Sequence, residues 1–163
     1  MLAFKSQGEA WTDPIGWITI FPSSVEAVKR MQPLVERNGK PGRILVVDDE
    51  INLALMLKDS LGKLPNCEVT MATSGEQALQ LFAEQPFDLL ITDYKMPGID
   101  GLALATRIRR LYPLTSIVMM TAYGSEDVRE RAARVSIRNF LDKPVQLTDI
   151  RLAVLEELSR PKR

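Results

Sequence analysis

Four apolar runs in this sequence each lead into a residue that could bind a metal ion or handle a phosphoryl group. The runs stand in ILVVDDE, LLITDYKMPGIDG, IVMMTAY and FLDKPV, and the polar residues are Asp48 with Asp49, then Asp93, Thr121 and Lys143. Clustered carboxylates repel one another and take up protons unless a cation is present. Mg²⁺ prefers such oxygen ligands and keeps positions open for phosphate. If these residues meet in the fold, they predict a Mg²⁺ site.

The same residues have the chemistry that phosphoryl transfer requires. A carboxylate can act as a nucleophile and form an aspartyl phosphate, Lys143 offers a compact positive charge for a phosphoryl oxygen, and Thr121 offers a hydroxyl donor. Taken singly, each residue also has a structural explanation, since an acidic residue favours a helix start and Asp93 suits a turn before Pro97 and Gly98. Such explanations do not account for a polar residue at the end of every one of these runs.

The elements that would position these residues alternate regularly from Arg43 onwards. Apolar runs predict strands over residues 44–47, 68–72, 88–92, 116–120 and 139–142, and a helical pattern follows each of them. The residues predicted to face the core from these helices are Leu53, Met56, Leu57, Leu61, Ala78, Leu81, Phe82, Leu104, Ile108, Leu111, Tyr112, Val128, Ala132, Ile150, Ala153, Val154 and Leu158.

This alternation predicts an α/β domain over residues 43–159. Right-handed crossovers favour a flavodoxin-like, doubly wound parallel sheet of five strands in the order 2-1-3-4-5, with five flanking helices. In that topology the carboxyl ends of strands 1, 3, 4 and 5 share one rim, where ligands bind in such sheets. Ser74 with Gln77, and Ser125, are the predicted helix caps.

Residues 1–42 form a predicted N-terminal extension of different character, and residues 160–163 form a short basic tail. The extension carries both tryptophans, Trp11 and Trp17, then a predicted helix from Ser23 or Ser24, and a linker that ends at Gly42. A segment of this size cannot hold a core alone. It either docks on the main domain, associates with another chain and so pairs two copies, or stays disordered.

Composition excludes several classes of function. The chain has equal numbers of acidic and basic residues, which argues against a general nucleic-acid binder. Cys67 is the only cysteine. We expect its side chain to be a small packed one, and the protein to belong to a reducing compartment. No signal peptide or membrane span is visible, and a cytoplasmic location is the expectation. The sequence contains no histidine, so a phosphate-carrying histidine would belong to another protein.

Together, in this order and at these spacings, the four motifs resemble a response-regulator receiver domain of the chemotaxis-regulator type, from Arg43 to about Ser159. The resemblance implies that a partner histidine kinase or histidine phosphotransfer protein phosphorylates Asp93. It implies slow hydrolysis by the receiver itself, and no other enzymatic activity. It also implies that Asp49 and Asp93 bind Mg²⁺ directly, Asp48 binds it through water, and the backbone carbonyl of Lys95 completes the protein ligands.

The resemblance further implies contacts that transmit the phosphorylated state. Thr121 and Lys143 would contact the phosphoryl group, the Lys143–Pro144 peptide bond would be cis, and Thr121 and Phe140 would form a conformational switch. The alternative for Phe140 is a permanent core residue. Residues 135–137, which read VSI, are bulkier than the usual pattern, and this puts the behaviour of the switch in question.

Two further side chains lie where they could flank water that attacks the phosphoryl group. Lys95 and Tyr123 stand two residues after Asp93 and Thr121, respectively. We expect them to slow dephosphorylation by crowding that water, with Lys95 also pairing with phosphate.

The main hypothesis is a phosphorylatable receiver of a two-component phosphorelay that signals by protein contacts to an unknown downstream target. Because the sequence ends after the fifth helix, no output domain is expected. The alternative is a docking or scaffold module that acts through residues 1–42, with phosphorylation secondary. A phosphatase with an aspartyl nucleophile is disfavoured, because haloacid-dehalogenase-like enzymes have a second aspartate where this chain has Lys95. A flavin site is also disfavoured, since the loop after the first strand is acidic.

Overall fold

A computed structural model describes residues 40–122, 126–137 and 139–161 of the chain. Trp11, Trp17, the predicted helix from Ser23 or Ser24, the Ser125 cap and Tyr123 lie outside the described residues.

The described residues form one parallel sheet of five strands. The strands are β1 (Gly42–Val47), β2 (Cys67–Ala72), β3 (Leu89–Asp93), β4 (Ser116–Thr121) and β5 (Asn139–Asp142). Their order is β2-β1-β3-β4-β5, which confirms the predicted fold. In the register of the sheet, Asp93 lies beside Met120 and Thr121 lies beside Asp142, so the strand ends are level with one another.

Five helices cover the two faces of this sheet: α1 (Ile51–Leu61), α2 (Gly75–Glu84), α3 (Gly101–Leu111), α4 (Glu126–Arg134) and α5 (Leu147–Ser159). One core cluster joins alternate strand residues, such as Leu45 and Val47, to α2, α3 and α4. The other joins Ile44 and Val46 to α1 and α5. Because successive side chains of a strand point to opposite faces, a strand covered on both sides carries a continuous apolar run, as residues 44–47 of β1 and 89–91 of β3 do.

Two residues predicted to face the core are exposed. Met56 is 43% exposed because the buried face of α1 is centred on Ala54, Leu57 and Leu61, and Met56 lies at its edge. Leu111 is 59% exposed because it is the last residue of α3, where the helix has reached the edge of the sheet. The other predicted inward residues are buried or partly buried against the two clusters.

Side chains cap the starts of two helices. One of these caps was predicted from the sequence and the other was not. The Ser74 hydroxyl accepts a hydrogen bond from the backbone N–H of Gln77 at 3.1 Å, as predicted. The side chain of Asp100 caps α3 by accepting from Ala103 N at 2.7 Å. This second cap fixes the start of the helix that follows Asp93.

The division into residues 1–42, 43–159 and 160–163 stays a prediction, although β1 already begins at Gly42. Within the described part of the chain, each helix is too short or too polar to cross a bilayer.

Candidate functional site

The polar residues singled out from the sequence meet at the carboxyl ends of the strands. Asp48 follows β1, Asp93 ends β3, Thr121 ends β4 and Lys143 follows β5. The side chains of Asp48, Asp93 and Thr121 are buried, and Asp49 is exposed at the rim. The parallel sheet therefore brings together residues that lie up to 95 positions apart in the chain.

Lys143 holds the two buried carboxylates together. Its Nζ lies 2.8 Å from Oδ2 of Asp48 and 3.0 Å from Oδ1 of Asp93. The backbone N–H of Lys143 donates to the carbonyl of Thr121 at 2.8 Å, which ties the lysine to the end of β4. The Lys143–Pro144 peptide bond is cis, as expected from the sequence. Asp48 is held from its other side, because its Oδ1 accepts from Glu50 N at 2.9 Å.

Burial and charge shift the pKa values of Asp93 and Lys143. Burial raises the pKa of Asp93, the contacts with Lys143 oppose that rise, and the nearby charges of Asp48 and Asp49 add to it, so the net direction is upward. Burial alone would lower the pKa of Lys143, but its hydrogen bonds and charge interactions with Asp48 and Asp93 outweigh burial and raise it. The lysine is therefore held in its charged form beside the acids.

Asp48, Asp49 and Asp93 fit a divalent cation. Each offers a carboxylate oxygen, and the three oxygens lie within 4.8 Å of one another. An all-oxygen set of carboxylates is the chemistry that Mg²⁺ selects, so the residues present suit that ion. The backbone carbonyl of Lys95 as a further ligand stays a prediction.

The turn between Asp93 and α3 is fixed by contacts that the sequence analysis missed. The carboxylate of Glu76, on α2, accepts from Ile99 N at 3.1 Å. The start of α3 lies so close to the site that a Cβ atom on Gly101 would overlap the carbonyl oxygen of Asp93. Gly98 has a φ of 73°, a left-handed conformation that favours glycine. The PGIDG stretch carries the turn signal, whereas Glu76 has no local signal because its partner lies 23 residues away.

The predicted switch residues differ in burial. Thr121 is buried, and Phe140 is partly buried against the cluster under α2, α3 and α4. The guanidinium of Arg129, on α4, lies 5.3 Å from the centre of the Phe140 ring and pairs with Asp142 at 3.3 Å. Phe140 is thus not a fully buried core residue, and its role as a switch stays a prediction. Nothing in the sequence pattern singled out Arg129.

The two residues predicted to slow dephosphorylation are described in part. Lys95 is exposed two residues beyond Asp93, whereas Tyr123 lies outside the described residues. Their effect on phosphate loss stays a prediction.

Comparison with known proteins identifies relatives of this part of the chain. Residues 44–155 match the family described as the response regulator receiver domain. The probable chemotaxis protein CheY of Rhizobium etli is 33% identical over 115 residues, which are 69% of this chain and 88% of that protein. The response regulator protein PilR of Pseudomonas aeruginosa is 36% identical over 116 residues, which are 71% of this chain and 26% of PilR. This chain thus spans about a quarter of the length of PilR.

Solved structures show the same relationship. The signal receiver domain of an HD domain-containing protein from Pseudomonas fluorescens Pf-5 superposes with a TM-score of 0.69 at 30% sequence identity, covering 73% of this chain and 95% of that domain. The matched family covers more than half of the sequence, and its span contains Asp48, Asp49, Asp93, Thr121 and Lys143. The chain therefore belongs to the family of response regulator receiver domains of two-component signalling.

Proposed function

We propose that Asp93 accepts a phosphoryl group from a histidine of a partner protein, either a sensor histidine kinase or a histidine phosphotransfer protein. The observation that carries this proposal is the contact of the Lys143 ammonium group with both Asp48 and Asp93, beside a third carboxylate from Asp49. These 163 residues contain no histidine, so the donor histidine lies outside them. We place this exchange in the cytoplasm, which a chain with a single cysteine fits.

In the transfer step, a carboxylate oxygen of Asp93 forms a bond to phosphorus while the bond from phosphorus to the histidine nitrogen breaks. The electron pair of the broken bond stays on that nitrogen. Lys143 already touches Asp93 Oδ1, so it neutralises charge on the group that arrives there. Thr121 ends the neighbouring strand, β4, and its hydroxyl donates to a phosphoryl oxygen. When bound, Mg²⁺ supplies further charge neutralisation.

The charge balance of the cluster favours a divalent cation. The cluster combines three carboxylates with one ammonium group, that of Lys143, which leaves two excess negative charges. Asp48 and Asp93 are buried, where uncompensated charge is costly. We assign Asp49 and Asp93 as direct ligands, Asp48 as a ligand through water, and the carbonyl of Lys95 as the remaining protein ligand.

The output of the phosphorylated state is a change in protein contacts. Receiver domains are in general signalling modules that are not enzymes, and we assign this chain the same role, with slow loss of its own phosphoryl group. Movement of Thr121 toward the phosphoryl group would let Phe140 turn inward. That rearrangement would alter the surface formed by α4, β5 and α5 as a shift between two packings.

Binding of a phosphoryl mimic tests this proposal. Beryllofluoride with Mg²⁺ should raise the thermal unfolding midpoint of the full chain, because a ligand that binds only the folded state stabilises it. Asp93→Asn should abolish the rise, whereas Asp59→Asn, at an exposed aspartate of α1, should keep it. An equal rise in the Asp93→Asn variant, or none in the wild type, would contradict the proposal.

A further inference from the structure

A groove lies at the end of the sheet opposite the acidic cluster, which is formed by Asp48, Asp49 and Asp93. It is formed where β1, β3 and β4 begin and where α3 ends, and its volume is about 1110 Å³. Small-molecule pockets usually measure about 300 to 1,000 Å³, so this groove has room for a segment of chain with large side chains. Six residues supply its apolar lining: Pro41, Pro86, Phe87, Leu111, Pro113 and Leu114.

Two leucines of the groove are left open to solvent by the described residues. Leu111 is 59% exposed and Leu114 is 56% exposed, although both are large apolar side chains. Charged residues surround them at the rim, with Lys40 and Arg43 of one sign and Glu68 and Asp88 of the other. An exposed apolar patch rimmed by polar residues is typical of an interaction site.

The position of Lys40 indicates which segment occupies the groove. Lys40 lines the groove and is also the residue at which the described part of the chain begins. Residues 1–39 therefore join the domain at the rim of the groove. They contain four of the ten aromatic residues of the chain, Phe4, Trp11, Trp17 and Phe21. They also contain four acidic and four basic residues, so they carry no net charge that the mixed rim would repel.

We propose that residues 11–21, through Trp11 and Trp17, dock into this groove on the same chain. The tether from Phe21 to Lys40 can extend over about 60 Å, at about 3.3 Å per residue, so its length does not prevent docking. A tethered segment has an effective concentration of about millimolar, which favours the chain's own segment over a second copy. Docking covers Leu111 and Leu114 and leaves Asp93 accessible, because the acidic cluster lies at the opposite end of the sheet.

Tryptophan fluorescence of the full chain tests the proposal. The only two tryptophans of the sequence lie in the proposed segment, so their emission reports on that segment alone. Relative to free tryptophan amide, wild-type emission should be blue-shifted, and acrylamide should quench it more slowly. The double variant Leu111→Gln, Leu114→Gln should lower the docking equilibrium constant by a factor of at least about 10, since burial of both leucines is lost.

The matched control is Leu55→Gln, Met56→Gln on α1, where both side chains are 43% exposed and lie outside the groove. This control should leave quenching unchanged. Circular dichroism checks that each variant keeps its helices, and Leu114→Gln alone, in the loop after α3, replaces the double variant if that one unfolds. Quenching of the wild type as fast as that of free tryptophan amide, or unchanged quenching in the groove variant, would overturn the proposal.

Light scattering at several protein concentrations distinguishes docking of the chain's own segment from docking of the segment of a second copy. The proposal predicts a monomer whose tryptophan protection does not depend on concentration. Protection that appears only with a dimer would overturn it, because the occupant would then come from another copy.

Discussion

Lys143 keeps the buried acids of the site compatible with the folded state. Its Nζ touches Asp48 and Asp93, and both of those carboxylates are buried. We predict that Lys143→Met lowers the free energy of unfolding by about 3 kcal/mol in EDTA, since removing one partner leaves buried charge without compensation. Urea unfolding measures the loss, which Mg²⁺ should reduce because the cation replaces the missing positive charge.

Lys63→Met is the control for this change, because Lys63 is an exposed lysine in the turn after α1. It should shift the free energy of unfolding by no more than about 0.5 kcal/mol. A Lys143→Met variant that was as stable as the wild type in EDTA would show that the acids do not depend on this lysine.

Cys67 provides a pH-dependent test of packing at the start of β2. Burial raises the pKa of its thiol from 9.0 to about 11, so the protonated form is favoured and the reactive thiolate is scarce. We predict that alkylation of the native protein by iodoacetamide keeps rising about tenfold per pH unit up to pH ~10, since the thiolate is the nucleophile. Protein unfolded in urea should instead reach a plateau just above the unperturbed pKa of 9.0. A native rate that levels off over the same pH range as that of the unfolded protein would contradict the prediction.

At the scale of elements, the contact between α3 and the end of β3 is the tightest constraint on the site. A Cβ atom at Gly101 would overlap the carbonyl oxygen of Asp93. We predict that Gly101→Ala lowers the free energy of unfolding by about 3 kcal/mol, at the upper end for overpacking. Helix propensity alone predicts the opposite sign, although the advantage of alanine, about 1 kcal/mol in a helix interior, is smaller at the first residue of α3.

Gly62→Ala is the comparison for that variant, because a Cβ there would lie 3.1 Å from the carbonyl oxygen of Lys58 and requires only a small adjustment. Its effect on the free energy of unfolding should stay below about 1 kcal/mol. If Gly101→Ala proved more stable than the wild type in urea, α3 would not approach Asp93 as closely as described.

The elements show where sequence patterns were informative and where they were not. The apolar runs of β1, β3 and β4 predicted these buried strands, whereas β2 and β5 gave weaker signals. The order of the five strands could be predicted from their alternation with helices and the right-handed crossover rule. Exposure at the margin of a helix could not be predicted, because Met56 and Leu111 match the apolar period but lie where the sheet provides no partner. The contact of Glu76 with Ile99 joins distant parts of the chain and has no local signature.

At the scale of the whole molecule, the sheet separates two regions of different chemistry. The acidic cluster lies where the strands end, and the apolar groove lies where they begin. The site could be predicted because parallel strands deliver their carboxyl ends to one rim. The groove could not be predicted, since it depends on how the end of α3 meets the starts of β1, β3 and β4. With this separation, the proposed phosphorylation of Asp93 and the proposed docking of residues 11–21 would not compete for space.

Phosphorylation of Asp93 is the central claim, and intact-mass spectrometry tests it most directly. The full chain is incubated with acetyl phosphate and Mg²⁺, and the mass is compared with that of Asp93→Asn under the same conditions. The wild type should gain the mass of one phosphoryl group, and the gain should vanish with EDTA and in the variant. A wild type that gains nothing, or an Asp93→Asn variant that gains as much, would contradict the assignment of Asp93 as the phosphoryl acceptor.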